Sequence, residues 1–285
     1  MKERYELKVM KASHYEAQFY FDYFNERLRI VDYRGNVSLI MEEAKKASKH
    51  HSFTKLIFHA RPEHWQQLLS KGFVLEAVFK GFFNGTDCYA MSYYTDLNRR
   101  TSKYWVEEDH IIASLSTTSK PQATQNSQDS YQFRLANVND AKELAELYKQ
   151  VFAIYPTPMN DPNYIEKVIA EGSLFFVSEH EKKIVSAASA DVNKGYHHAE
   201  MTDCATLPDH RKYGLMKKLL QLLERELLNS GIYCAFSIAR ALSPGMNAAF
   251  YQLGYKYTGR MINNCYIFDK MEDMNVWVKD LSNME

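Results

Sequence analysis

Between residues 199 and 220 the chain reads AEMTDCATLPDHRKYGLMKKLL, a strand-like run, a short basic loop and the opening of a strongly amphipathic helix. In the helix, predicted over Gly214–Ser230, Leu215, Leu219, Leu222, Leu223 and Leu227 share one face, and Gly231 is placed to end it. At the start of such a helix the backbone N–H groups are unpaired and the dipole is positive, so the turn suits a phosphate or pyrophosphate. Arg211, Lys212 and Lys217 add positive charge around it, and Gly214 lets the backbone approach an anion closely. On the loop alone, a plain strand-to-helix turn with solvated cations is the alternative.

The flanking sequence alternates helix and strand periods. Helices are predicted at Asp140–Val151, Tyr164–Glu171 and Gly245–Leu253. Strands are predicted at Leu174–Ser178, Ile184–Ala190, His197–Leu207, Tyr233–Ala239, Tyr255–Met261 and Asn264–Asp269. The result is an α/β mixed sheet with helices on both faces. Upstream, Lys55–His59, Pro62–Ser70, Val74–Phe82 and Asp87–Tyr94 repeat the order strand, helix, strand, strand. CYAMSYY from Cys88 and CYIFDKM from Cys265 fall at equivalent places, which suggests a diverged half-repeat in a smaller N-terminal α/β domain. Ser114–Ser130 is rich in Ser, Thr, Gln and Asn and reads as a polar linker, dividing the chain into residues 1–113 and 131–285.

Composition removes several classes. Thirty-five basic and 35 acidic residues cancel, which argues against a protein that binds by neutralising nucleic-acid phosphates. No run of 18 apolar residues exists and the N-terminus lacks an apolar signal segment, so a soluble, cytoplasmic protein is expected. Cys88, Cys204, Cys234 and Cys265 are widely spaced and expected to be reduced. The neighbouring pairs His50–His51 and His197–His198 point to opposite sides, so no metal site is expected.

Arg211-Lys-Tyr-Gly214-Leu-Met216, with a strand before it and a helix after, resembles the pyrophosphate motif of the GNAT superfamily of acetyl-CoA-dependent N-acetyltransferases. Met216 stands where that motif has a small residue. Asn247-Ala-Ala-Phe-Tyr251-Gln-Leu-Gly254-Tyr255 resembles the superfamily's following signature, and the likeness covers roughly residues 131 to 270. Four blocks, YPTPMNDP (155–162), AEMTDCATLPDHR (199–211), ARALSPGMN (239–247) and MINNCYIFDKMEDMNVW (261–277), are similar to the β-lysine N-acetyltransferases, which work beside a lysine 2,3-aminomutase. Val278 stands where an aromatic is expected.

The resemblance implies transfer of acetyl from acetyl-CoA to the 6-amino group of β-lysine, a reaction suited to making a compatible solute or to lysine catabolism. An alkyl ammonium is neutral only on the order of 0.1% of the time near pH 7, so a base is useful. Glu200 is the candidate by the superfamily's AE position. Asp203 is the rival, of opposite strand parity unless a bulge intervenes, and either could instead hold the acceptor's second ammonium or simply face solvent. Tyr251 sits at the position of the acid that protonates the departing thiolate. Asn247 would hold the pantetheine arm or cap its helix. Backbone N–H groups at Ala205, Thr206 and Leu207 would polarise the thioester, with Arg211, Lys212, Tyr213, Gly214, Leu215, Met216 and Lys217 around the pyrophosphate. No His or Lys lies beside Cys204 to activate it, so direct attack by the amine is preferred to an acetyl-cysteine route. The alternatives are another amine acceptor (a polyamine, α-lysine or a protein lysine) or a non-catalytic acetyl-CoA-binding module. The N-terminal part shows no RxxG turn ahead of a long helix. It is expected not to bind CoA, and instead to shape the acceptor pocket or form a dimer contact.

Overall fold

The computed structural model describes residues 4–116 and 130–283. In chain order the elements are β1 (Tyr5–Ala12), β2 (Tyr15–Asp22), β3 (Arg27–Gly35), α1 (Val37–His50), β4 (Lys55–Ala60), α2 (Trp65–Ser70), β5 (Val74–Phe83) and β6 (Thr86–Tyr94). Two helices follow, α3 (Leu97–Arg100) and α4 (Trp105–Ser114). After residue 130 come β7 (Gln132–Leu135), α5 (Ala141–Val151), α6 (Pro162–Glu171), β8 (Leu174–His180), β9 (Lys183–Asn193) and β10 (His198–Thr206). The chain continues with α7 (Leu215–Asn229), β11 (Cys234–Arg240), α8 (Pro244–Gln252), β12 (Lys256–Ile267) and β13 (Lys270–Asp280).

The strands form one sheet in the order β1-β2-β3-β4-β6-β5-β12-β13-β11-β10-β9-β8-β7. Read outward from the β5–β12 junction, both sides have the same connectivity. β8-β9-β10-α7-β11-α8-β12-β13 repeats β1-β2-β3-α1-β4-α2-β5-β6, with β3 parallel to β4 as β10 is to β11. The repeat therefore extends well beyond the half-fold legible in the sequence. Successive residues on β9 explain the layers: Ala187 packs under α5 and α6, while Ala188 packs under α7 and α8.

Several expectations need correction. Tyr255–Met261 and Asn264–Asp269 are one strand, β12, kinked by an irregularity between Met261 and Cys265; the chain then turns at Phe268–Asp269 into β13. Cys265 consequently lies on β12 while Cys88 lies on β6, so the two Cys-Tyr blocks are not equivalent in the repeat. The polar stretch begins later than Ser114. Ser114 closes α4, and buried Leu115 joins the core beneath α7, while residues 117–129 lie outside the described residues. The N-terminal half has a long helix, α1, after its third strand, and the turn ahead of it carries no RxxG sequence. Its turn is Gly35–Asn36, and the Asn36 side chain accepts from the Leu39 N–H at 3.2 Å, capping α1 from within the chain.

Candidate acetyl-transfer site

Site geometry begins with a defect in the ladder. β10 pairs with β9 as far as Thr202–Ser189 and resumes at Ala205–Ala187, so Asp203 and Cys204 together oppose Ala188. Asp203 takes φ 48 to allow this bulge. On its other edge β10 runs parallel to β11 only from His198 to Glu200, after which the strands part. Between the splayed strands lies a cleft of about 740 Å³, walled by the β10 bulge, the β11 segment Ser237–Arg240 and the first turns of α7 and α8.

At the far end of the cleft Lys212 (φ 72) and Gly214 (φ 75) adopt left-handed backbone, and no side chain caps α7. The free N–H groups of the first turn are therefore left for a ligand. Thr206, Arg211, Lys212, Gly214, Leu215, Met216 and Lys217 line the cleft. Met216 does so while packing partly into the core, so it narrows the cleft without blocking it. Arg211 Nε donates to Thr206 O at 3.2 Å and Lys217 Nζ to Gln252 Oε1 at 2.8 Å, which ties the loop to β10 and α7 to α8. Tyr213, 40% exposed, lies outside the cleft wall, with its ring 5.8 Å from that of Tyr131.

The backbone donors are narrower than expected. Leu207 N–H is already given to Val185 O at 2.9 Å, and Ala205 is paired with Ala187 and buried. By the alternation of an antiparallel ladder, Thr206 turns its N–H to the opposite edge, toward the cleft.

Asp203 lines the cleft and is held by Ser189 Oγ, which donates at 2.6 Å, and the Tyr155 phenol lines the same cleft. Tyr148 fixes the bulge by donating to Asp203 O at 2.6 Å. Burial raises the Asp203 carboxyl to about 6; the Ser189 bond opposes this and the Asp191 charge adds to it. Glu200 is pushed to about 7 by burial first, then by Asp191, with Arg29 opposing and Asp203 adding. The bulge thus gathers Asp203, Glu200 and Asp191 into one acidic group despite their sequence parity. Glu200 does not line the cleft, and the cations that act on it, Arg29 and Arg27, come from the N-terminal half.

Two expected residues are placed elsewhere. Tyr251 is 45% exposed and lines a separate hollow with Tyr257 and Trp277, while its neighbour Phe250, about 100° away round α8, faces the cleft. The phenol in the cleft is Tyr155, a residue that the sequence blocks contained without marking its role. Asn247 neither caps α8 nor reaches the cleft. Its amide donates to the carbonyls of Arg240, Ala241 and Ser243 at 2.9, 3.3 and 2.7 Å, and its oxygen accepts from Asn275 Nδ2 and Trp277 Nε1, both at 2.9 Å. Asn247→Ala strands these buried groups and is expected to cost about 3 kcal/mol, read as a lower urea midpoint at unchanged slope. An unchanged midpoint would contradict this role.

Cys204 is partly buried and lines the cleft, but desolvation, with the Asp203 charge adding, pushes its thiol well above the ordinary range, and its Sγ contacts Thr202 O at 3.5 Å, an arrangement unsuited to a nucleophile.

Residues 141–255 match the sequence profile of the acetyltransferase (GNAT) family. N-acetyltransferase YodP of Bacillus subtilis (strain 168) is 38% identical over 96% of this chain and 100% of its own length. The beta-lysine N(6)-acetyltransferase of Methanosarcina mazei is 33% identical, over 88% of this chain and 100% of its own. A protein of the same name from Methanococcus maripaludis is 30% identical, over 90% of this chain and 93% of its own.

Proposed function

Since the chain belongs to the GNAT family of N-acetyltransferases, we propose that it moves acetyl from acetyl-CoA to the 6-amino group of β-lysine by direct amine attack. The observation that carries the acceptor is the acidic group at the bulge: three carboxyls, one lining the cleft, suit a substrate with two ammonium groups. The full-length likeness to two proteins named for β-lysine supports the same choice.

The residues fit acetyl-CoA. The uncapped N-terminus of α7 and the left-handed Lys212 and Gly214 suit a pyrophosphate, and the parted edges of β10 and β11 leave backbone groups for an amide-bearing arm. Bound acetyl-CoA supplies the reactive thioester. Asp203 accepts a proton from the ammonium, and the freed nitrogen lone pair attacks the carbonyl carbon. As the tetrahedral adduct collapses, the second nitrogen proton passes to water, the carbon–sulfur bond breaks and the thiolate departs with its electron pair. Tyr155, which lines the cleft with Asp203, is the phenol placed to relay the proton taken by Asp203 to sulfur. The Thr206 N–H is the backbone donor left to stabilise the developing oxyanion.

The N-terminal repeat has its own parting strands, β3 and β4, but Arg61 and Tyr33 fill that place. Arg61 donates to Tyr33 O at 2.6 Å and pairs with Asp32 at 2.8 Å, and Tyr33 packs on Phe58. This filling, with the capped α1, supports one acetyl-CoA site per chain.

The test is CoA release with β-lysine and α-lysine in parallel. Turnover favouring β-lysine by about 100-fold or more in kcat/KM is expected; equal rates, or none, would remove the β-lysine assignment.

A further inference from the structure

The N-terminal sheet turns a row of cations toward the C-terminal half, and most of them are occupied. Arg27 pairs with Asp22 at 2.8 Å and donates to Asn264 O at 2.8 Å. Lys55 pairs with Glu76 at 2.9 Å and donates to Ile262 O at 2.8 Å, and Arg99 donates to Asn263 O at 2.7 Å. All three hold the irregular stretch of β12.

Arg29 is different. Two residues along β3 from Arg27, it projects from the same face. Its guanidinium lies 4.1 Å over the Tyr20 ring, its Nε is buried with no hydrogen-bond partner, and it makes no ion pair among the described residues. Arg29 is only half-buried, so an anion can reach its guanidinium, and a cation with one N–H sealed from water and unpaired is costly to the fold unless an anion completes it.

Its surroundings lead to the acetyl-transfer site. Arg29 and Glu200 sense each other's charge without pairing. From Tyr20 the contacts continue to Tyr5, stacked at 5.6 Å, and Tyr164 beyond it lies in the electrostatic field of Tyr5, Asp203 and Asp191. A wall of phenols therefore has an unmatched cation at one end and carboxyls at the other. Tyr5, Tyr20 and Arg29 all come from β1–β3, outside residues 141–255.

We propose that Arg29 binds the carboxylate of a diamino-acid acceptor, while Glu200 and Asp191 pair with its second ammonium and Asp203 serves the amine that is acetylated. The N-terminal repeat then acts as the selector of amino acids over plain diamines. This rests on the amine-acetyltransferase reading of the cleft, but not on the choice of β-lysine.

The test compares the full-length wild type with Arg29→Gln on two matched pairs, each an amino acid and its decarboxylated counterpart: β-lysine with 1,4-diaminopentane, and α-lysine with 1,5-diaminopentane. Losing one partner of a desolvated charge pair is expected to lower kcat/KM for the amino acid by about 100-fold, mostly through KM. The diamine of the same pair should stay within about threefold, and KM for acetyl-CoA should not move. Equal losses on acid and diamine would make Arg29 structural and overturn the proposal, as would a wild type that already prefers the diamines. Wild-type turnover confined to α-lysine would remove β-lysine yet leave the Arg29 ratio decisive within that pair. A wild type inactive on both pairs overturns both readings.

Discussion

Asp203→Asn is expected to lower kcat/KM by about 10²–10⁴-fold, the usual contribution of a positioned base, while making the protein more stable near neutral pH. The two effects have one cause. The carboxyl is raised to about 6 chiefly because it is buried, so the folded state binds its proton more tightly than the unfolded chain does. Between the unfolded value near 3.9 and about 6, stability therefore falls as pH rises, and above that window the full penalty of holding a buried charge is present. Asparagine keeps the shape without the charge, and a gain of about 1–3 kcal/mol is expected at pH 7.5. As a base, Asp203 must be ionised, so wild-type kcat/KM should climb through about pH 6 and level off, and this acid limb should vanish in the variant. Glu200→Gln should retain the limb near pH 6, because Asp203 is still present, while KM for the acceptor rises through loss of the proposed pairing with its second ammonium. A variant that loses stability together with activity, or a limb lost in Glu200→Gln and kept in Asp203→Asn, would exchange the roles of the two carboxyls.

That choice could not be made on sequence, and the reason is geometric. Strand parity separates residues 200 and 203, and only the two-for-one pairing at Asp203–Cys204 places the second carboxyl beside the first. The strand–loop–helix from Ala199 to Leu220 was legible because its leucine period is strong and local. The same reading failed one helix later. Phe250 and Tyr251 are adjacent, and the phase of α8 against the cleft decides which of them faces it. Asn247 shows another limit, since its five partners lie at the end of β11, on the loop after it and on β13, 28 and 30 residues away in the last case. In the N-terminal half β1 is a mostly exposed edge strand, YELKVMKA, in which Tyr5, Leu7 and Val9 alternate with Glu6 and Lys8 only briefly before Met10 breaks the pattern. With β1–β3 unassigned, neither the full repeat nor Arg29 could be placed.

Gly259→Val is expected to be among the most damaging single changes in the chain, because it strikes the line where the two repeats join. β5 and β12 are neighbours there, with Gly259 directly opposite Ala77. Gly259 has φ +148, a conformation L residues rarely adopt, and a Cβ on it would stand 2.1 Å from Glu76 O and 2.7 Å from Ala77 Cα. Both obstacles are backbone, so a side-chain rotation relieves neither. The displaced residue is also a poor one to move: the Glu76 carboxylate pairs with Lys55, receives bonds from Ser92 and Tyr94, and accepts from the Ile262 N–H at 2.7 Å. Shifting β5 opens this buried ion pair, and separating such a pair is strongly destabilising. A loss of about 4 kcal/mol or more is expected, counting backbone strain with the weakened pair. The consequence should differ across the molecule. The cleft between β10 and β11 lies within the C-terminal repeat, whereas Arg29 and Glu200 act on each other from opposite repeats. In whatever folded fraction survives at low temperature, KM for the acceptor should therefore rise far more than KM for acetyl-CoA. Wild-type stability in Gly259→Val, measured by urea unfolding, would show that the two repeats do not depend on this contact.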